Sequence, residues 1–146
     1  MKKGYTVIEV IFVLAIIALL ILPTLNIAKS YKEITSRIKG KGITTEISNL
    51  ISYSKYYCKY HERYGEIEIN NNEGKIIFKD ISQKGTVVKS ISLQDGFKFT
   101  SNNRLNINKL GNFSRSDTIR IVDNDGKVYR VTIATGIDTV NIYEGE

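Results

Sequence analysis

Apolar and polar positions follow three successive patterns along the 146-residue chain. The first is an unbroken apolar run over residues 10–22, reached through a short mixed stretch that contains Glu9. The second, from about residue 27 to 64, recurs with the 3.6-residue period of a helix. The third begins at Gly65 and alternates with the two-residue period of a strand. Together they predict an α+β fold. A long N-terminal helix, apolar all round and then amphipathic, packs on an antiparallel β head.

Within the second pattern, Ile27, Tyr31, Ile34 and Ile38 form one narrow stripe at i, i+4, i+7 and i+11. Gly40-Lys41-Gly42 predicts a bend or short break, since glycine is a poor helix former. From 43 to 64, Ile43, Ile47, Leu50, Ile51 and Cys58 share a face. Thr45, Asn49, Ser52, Lys59 and Arg63 lie opposite. Tyr53, Tyr57, Tyr60 and Tyr64 make a shoulder beside the apolar face, read either as sealing its edge over a sheet or as a subunit-contact strip.

The third pattern resolves into strands. Segments 66–69 and 75–78 flank Asn71-Asn72-Glu73-Gly74 as a hairpin. Segments 86–93 and 97–100 are separated by the turn Asp95-Gly96, and 105–107 adds a short strand. Segments 118–122 and 127–133 are joined by Asp123-Asn124-Asp125-Gly126, the strongest hairpin signal in the chain. Segment 139–143 closes the sheet. No internal repeat or low-complexity linker interrupts the series.

The front end carries the functional information. Lys2 and Lys3 precede an apolar stretch, as in a secretory signal, but no small-x-small cleavage site follows it; residues 22–28 read Leu-Pro-Thr-Leu-Asn-Ile-Ala. A membrane span needs about 20 apolar residues, and residues 5–25 supply that length only by carrying Glu9. An acid at the centre of a membrane helix costs roughly 2.5–3.5 kcal/mol, less near its end, so an ionisable residue there is by default a functional one.

Gly4-Tyr5-Thr6-Val7-Ile8-Glu9-Val10, behind a basic leader and ahead of the apolar run, resembles the class III signal of type IV prepilins and type II secretion pseudopilins. The resemblance covers about the first 25 residues. It implies cleavage between Gly4 and Tyr5 by a membrane-embedded prepilin peptidase, N-methylation of Tyr5, and retention of the apolar segment. Glu9 falls on the family's assembly acid, whose carboxylate is expected to meet the Tyr5 amine of a neighbouring subunit. In low dielectric such attraction offsets desolvation, and loss of one partner strands a charge. Pro23, lacking a backbone donor, is expected to bend or loosen the helix.

The implied organisation is a leader at 1–4, a transmembrane and filament-core helix at 5–25, an amphipathic helix at 26–64 and a β head at 65–146. The expected partners are other pilin subunits, the peptidase, an assembly platform and its ATPase. The expected location is the cytoplasmic membrane, single-pass with the head outside, and then an envelope filament. Phe97-Lys98-Phe99 followed by segment 118–133 and Gly136 also looks like the head of minor pseudopilins of the GspH/FimT type, although Gly136 is followed by Ile137 where that group often has Arg. The paired C-terminal cysteines of many major pilins are absent, which favours a minor component or a Gram-positive system. Such filaments serve motility, DNA uptake (competence), secretion or adhesion.

Composition and candidate chemistry change this picture little. The net charge of +6 raises nucleic acid as a partner, but basic residues are scattered among acids and two of the 21 belong to the leader. The alternative reading is a singly anchored binding module whose β head recognises DNA or a surface ligand; a secreted enzyme is the third. One cysteine, Cys58, excludes an internal disulfide. Cys58 and His61 stand at i, i+3, but two candidate ligands do not make a metal site. Asp123-Asn124-Asp125-Gly126 opens like an EF-hand loop, yet Ala134 occupies the position of the bidentate acid. No P-loop or catalytic triad pattern is present, and neither an enzyme nor a cofactor is expected.

Overall fold

The computed structural model describes residues 6–135 and 140–144; the side chains of 22–26, 28, 29 and 140–144 fall outside the description. One helix, α1, runs Val7–Tyr60. The chain divides into two compact units, Met1–Ile38 and Lys39–Glu146.

In the first unit the described residues are helical from Val7 onward, and apolar side chains face outward, Phe12 at 68% and Leu19 at 71% exposure. The helix assignment continues through Pro23.

In the second unit, α1 enters with Gly40. A bend was expected there, but the helix is unbroken, and the glycine serves close packing instead. A Cβ at Gly40 would lie 2.3 Å from ring atoms of Tyr129, so only hydrogen leaves room for that ring. Ile43, Ile47, Leu50, Ile51 and Cys58, the expected apolar face, are all buried. Two polar residues buried with them satisfy themselves locally. Thr44 Oγ1 donates to Gly40 O (3.2 Å) or Lys41 O (2.9 Å), and Ser54 Oγ donates to Leu50 O at 2.7 Å.

The helix stretch expected to reach residue 64 stops at Tyr60. Glu62 turns left-handed (φ 54°) and Arg63 N donates to Cys58 O at 3.0 Å, the six-to-one bond of a Schellman cap. The chain thereby reverses into the first strand.

Eight strands follow: β1 Gly65–Asn70, β2 Lys75–Asp80, β3 Thr86–Ser92, β4 Phe97–Phe99, β5 Asn103–Ile107, β6 Asp117–Asp123, β7 Val128–Ile133 and β8 Val140–Glu144. They form two antiparallel sheets rather than one, in the orders β3-β2-β1-β5 and β4-β6-β7-β8. The Asp95-Gly96 turn, with Gly96 at φ +92°, therefore does not close a hairpin. It carries the chain from the edge of one sheet to the edge of the other. Phe97 and Phe99 then register against Asp123 and Ile121.

Alternation places Ile67 and Ile69 of β1 and Ile76 and Phe78 of β2 inward, in one core with α1 and with Ile121, Tyr129 and Val131 of the second sheet. Each such side chain contributes about 1.5–3 kcal/mol by leaving water. At the outer edge, β3 is exposed at five of its seven residues, and a bulge between Phe78 and Lys79 shifts its register from Lys89 to Val87.

Candidate functional site

Thr6 immediately precedes the first turn of α1 and Glu9 is its third residue, the spacing of a capping box. The Glu9 carboxylate reaches back, its Oε2 accepting from Thr6 N at 2.8 Å and from Thr6 Oγ1 at 3.0 Å. A helix start leaves backbone N–H groups without partners, and an acid there complements the helix dipole. Glu9 thus has an intramolecular role, which the motif spacing encodes but which the resemblance alone left unstated.

Gly4 and Tyr5 lie outside the described residues, as does the side chain of Pro23. Beyond Glu9 every described residue up to Ile21 is exposed. Among the described residues no helix is long and apolar enough to cross a membrane.

In the second unit an ionic cluster forms around a buried carboxylate. Asp80, at the end of β2, has no exposed side-chain surface; its Oδ2 accepts from Arg63 Nη1 at 3.0 Å and from the Tyr57 hydroxyl at 3.2 Å. With its amide turned to suit its neighbours, Gln83 Oε1 accepts from Arg63 Nη2 at 3.1 Å. Burial, and then the Asp80 carboxylate, push the Tyr57 phenol up, and the same carboxylate holds the Arg63 guanidinium above its usual range. Asp80 Oδ1 is buried without a hydrogen bond among the described residues, a destabilising feature offset by the ion pair beside it. Helical spacing had put Arg63 on the polar face. It escapes that expectation because the helix has already ended and the left-handed residue before it redirects the chain.

This cluster ties the helix exit to β2. It holds no nucleophile, since the neighbouring Cys58 is fully buried and its thiol is pushed up to about 11, first by desolvation and then by Asp80. Gly65 makes that burial possible, for a Cβ there would come within 2.6 Å of both Cys58 Sγ and the Phe78 ring. His61 is exposed instead, its ring 4.5 Å from that of Tyr57, so the i, i+3 pair does not converge. Among the described residues no three His, Cys, Asp or Glu side chains group to hold a metal. The Asp123 carboxylate is engaged by its own turn, its Oδ1 accepting from Asp125 N at 3.0 Å and Lys127 N at 2.9 Å.

A helix whose second half packs on an antiparallel β head is the pilin fold. Two minor components with solved structures share it. The minor pseudopilin EpsH from the type 2 secretion system of Vibrio cholerae superposes with a TM-score of 0.61 at 14% identity, over 74% of this chain and 99% of that one. The type IV minor pilin FimU of Pseudomonas aeruginosa gives a TM-score of 0.57 at 12% identity, over 75% and 92%. No protein-family model and no curated protein sequence matches the chain.

Proposed function

We propose that this chain is a structural subunit, of the minor pilin or pseudopilin kind, of a type IV pilus-like filament, and not an enzyme. The observation that carries the reading is Glu9: an acid at the third position of a helix whose next residues are exposed and apolar, in a chain whose head has the minor-pilin fold. Residues 5–25 anchor the precursor in the cytoplasmic membrane with the head outside. The prepilin peptidase cuts after Gly4 and methylates Tyr5, and the platform and ATPase then extract the subunit. On extraction the Glu9 carboxylate exchanges its Thr6 bonds for, or shares them with, the Tyr5 amine of the neighbour. Thr6 thus keeps the carboxylate partnered before a neighbour arrives, which lowers the penalty of holding it in lipid.

The test is intact-mass analysis of the cell-associated chain beside its Glu9→Ala variant. The expected wild-type mass begins at methylated Tyr5, and Glu9→Ala is processed equally but recovered in sheared filaments at least tenfold less. A chain that retains Met1, or a variant that polymerises as well as wild type, overturns the reading.

A further inference from the structure

We propose that Asp95 is a site of spontaneous isoaspartate formation, a covalent modification that needs no reagent but water and that the fold directs to the Asp95-Gly96 pair. The proposal concerns the second unit alone and does not depend on filament assembly.

In an Asp-Gly pair the glycine amide nitrogen can attack the carboxyl carbon of the aspartate, since glycine has no side chain to block the approach. The new N–Cγ bond closes a cyclic imide, and one water leaves, made from the carboxyl hydroxyl and the amide hydrogen. A second water then opens the ring. Breaking N–Cγ returns aspartate. Breaking the bond from nitrogen to the aspartate's own main-chain carbonyl carbon leaves isoaspartate, with the chain running through Cβ and Cγ. Atoms balance, and nothing is oxidised or reduced.

The sequence holds two Asp-Gly pairs, Asp95-Gly96 and Asp125-Gly126, and no Asn-Gly. Local chemistry does not separate them; their hydrogen bonds do. At the second pair the attacking nitrogen is tied, for Gly126 N donates to Asp123 O at 3.1 Å. Its neighbours are tied as well, Asp125 N and Lys127 N donating to Asp123 Oδ1 at 3.0 and 2.9 Å. That network must open before the nitrogen can turn.

At the first pair nothing comparable holds the reactants. Phe97 N donates to Gln94 O at 3.2 Å, closing a turn whose two central residues are Asp95 and Gly96. Gly96 has φ +92° and Asp95 does not share the positive sign, the pattern of a type II turn. The peptide between them is the central one, so it rotates without breaking the bond that closes the turn. Among the described residues Gly96 N has no acceptor, and the exposed Asp95 carboxylate has no hydrogen bond or ion pair. The product places an extra main-chain carbon where the chain passes from one sheet to the other. Phe97, only 8% exposed and with its ring 6.0 Å from that of Tyr129, is the next residue after the pair.

The test holds the full chain in detergent at neutral pH in heavy-oxygen water, once folded and once in urea, followed by trypsin. Each ring opening leaves one heavy oxygen, and peptides 90–98 and 121–127 carry the two pairs, with fragment ions locating the label. In the folded chain Asp95 is expected to label at least tenfold faster than Asp125. In urea the two rates are expected to agree within about twofold, because the bonds that separate them are gone. Part of the labelled 90–98 peptide is expected to accept a methyl group from S-adenosylmethionine through a protein-isoaspartate methyltransferase. Asp95→Glu, whose longer side chain closes the ring poorly, is expected to remove the label from that peptide. Equal labelling in the folded chain, faster labelling at Asp125, a tenfold ratio that persists in urea, or a labelled 90–98 peptide containing aspartate alone each overturn the proposal.

Discussion

The two units treat the same kind of side chain in opposite ways. In the first, Val7, Phe12 and Leu19 lie on the outside of α1; in the second, Ile43, Ile47 and Leu50, on the same helix, are buried. Both stretches belong to the one helix α1, so what differs is their exposure and not their secondary structure. The head covers its stretch with two sheets of inward-facing isoleucines and phenylalanines. In the front half the described apolar side chains up to Ile21 remain exposed on the helix surface.

Removing an aromatic ring from each unit gives the sharpest contrast. Phe78→Ala opens a cavity in the core and is expected to cost about 3–5 kcal/mol in urea unfolding followed by the near-ultraviolet tyrosine signal. Phe12→Ala is expected to move the same transition by less than about 0.5 kcal/mol. Equal effects would mean that Phe12 is as buried as Phe78.

Glycines on α1 offer a second contrast. Gly40→Ala drives a methyl into Tyr129 and is expected to lose about 1–3 kcal/mol. Two residues on, nothing lies within 4 Å of a Cβ at Gly42, so Gly42→Ala is expected to gain roughly 0.5–1 kcal/mol from helix propensity. A gain at both positions would remove Gly40 from the core.

Arg63→Met leaves the Asp80 carboxylate buried without its cation and lowers the unfolding midpoint. The drop is expected to be smaller than that of Gly40→Ala, because the guanidinium is 34% exposed and water screens the pair. Adding Asp80→Asn to that variant is expected to restore part of the loss, and strict additivity in the cycle would deny the coupling.

The smallest effect concerns pH. Lys79, foremost by its hydrogen bond, and then Arg104 at 3.1 Å hold the Glu68 carboxyl below its ordinary value of 4.5. The unfolded chain then binds the proton more readily. Glu68 therefore contributes stability above pH 4.5 that is lost as pH falls below it. Glu68→Gln is expected to flatten that part of the stability curve, and an unchanged slope would count against the shift.

Much of this was legible in the residues. The change of period at Gly65, the two hairpins around Gly74 and Gly126, and the buried face of α1 all rest on local rules, and each strand lies within a few residues of its expected place. What escaped were facts of three-dimensional closure. Nothing local distinguishes a turn that folds a strand back on its neighbour from one that hands the chain to another sheet, so the role of Asp95-Gly96 stayed hidden. Gly40 reads as a helix breaker until Tyr129, 89 positions later, is seen against it. Asp80 and Arg63 are unremarkable in sequence because their pairing depends on where the helix stops. The Thr6–Glu9 pair is the reverse case, visible as spacing but overshadowed by the motif that contains it.

The bulged outer strand β3 has a bearing on unwanted aggregation. A flat, regular margin would let one molecule extend the hydrogen-bonded ladder of the next, the route by which β proteins stick together. Here the register slip and the lysine on the rim insulate that margin. Pairing of one head with another along β3 is thus disfavoured, which keeps this side of the sheet from seeding amyloid-like stacking.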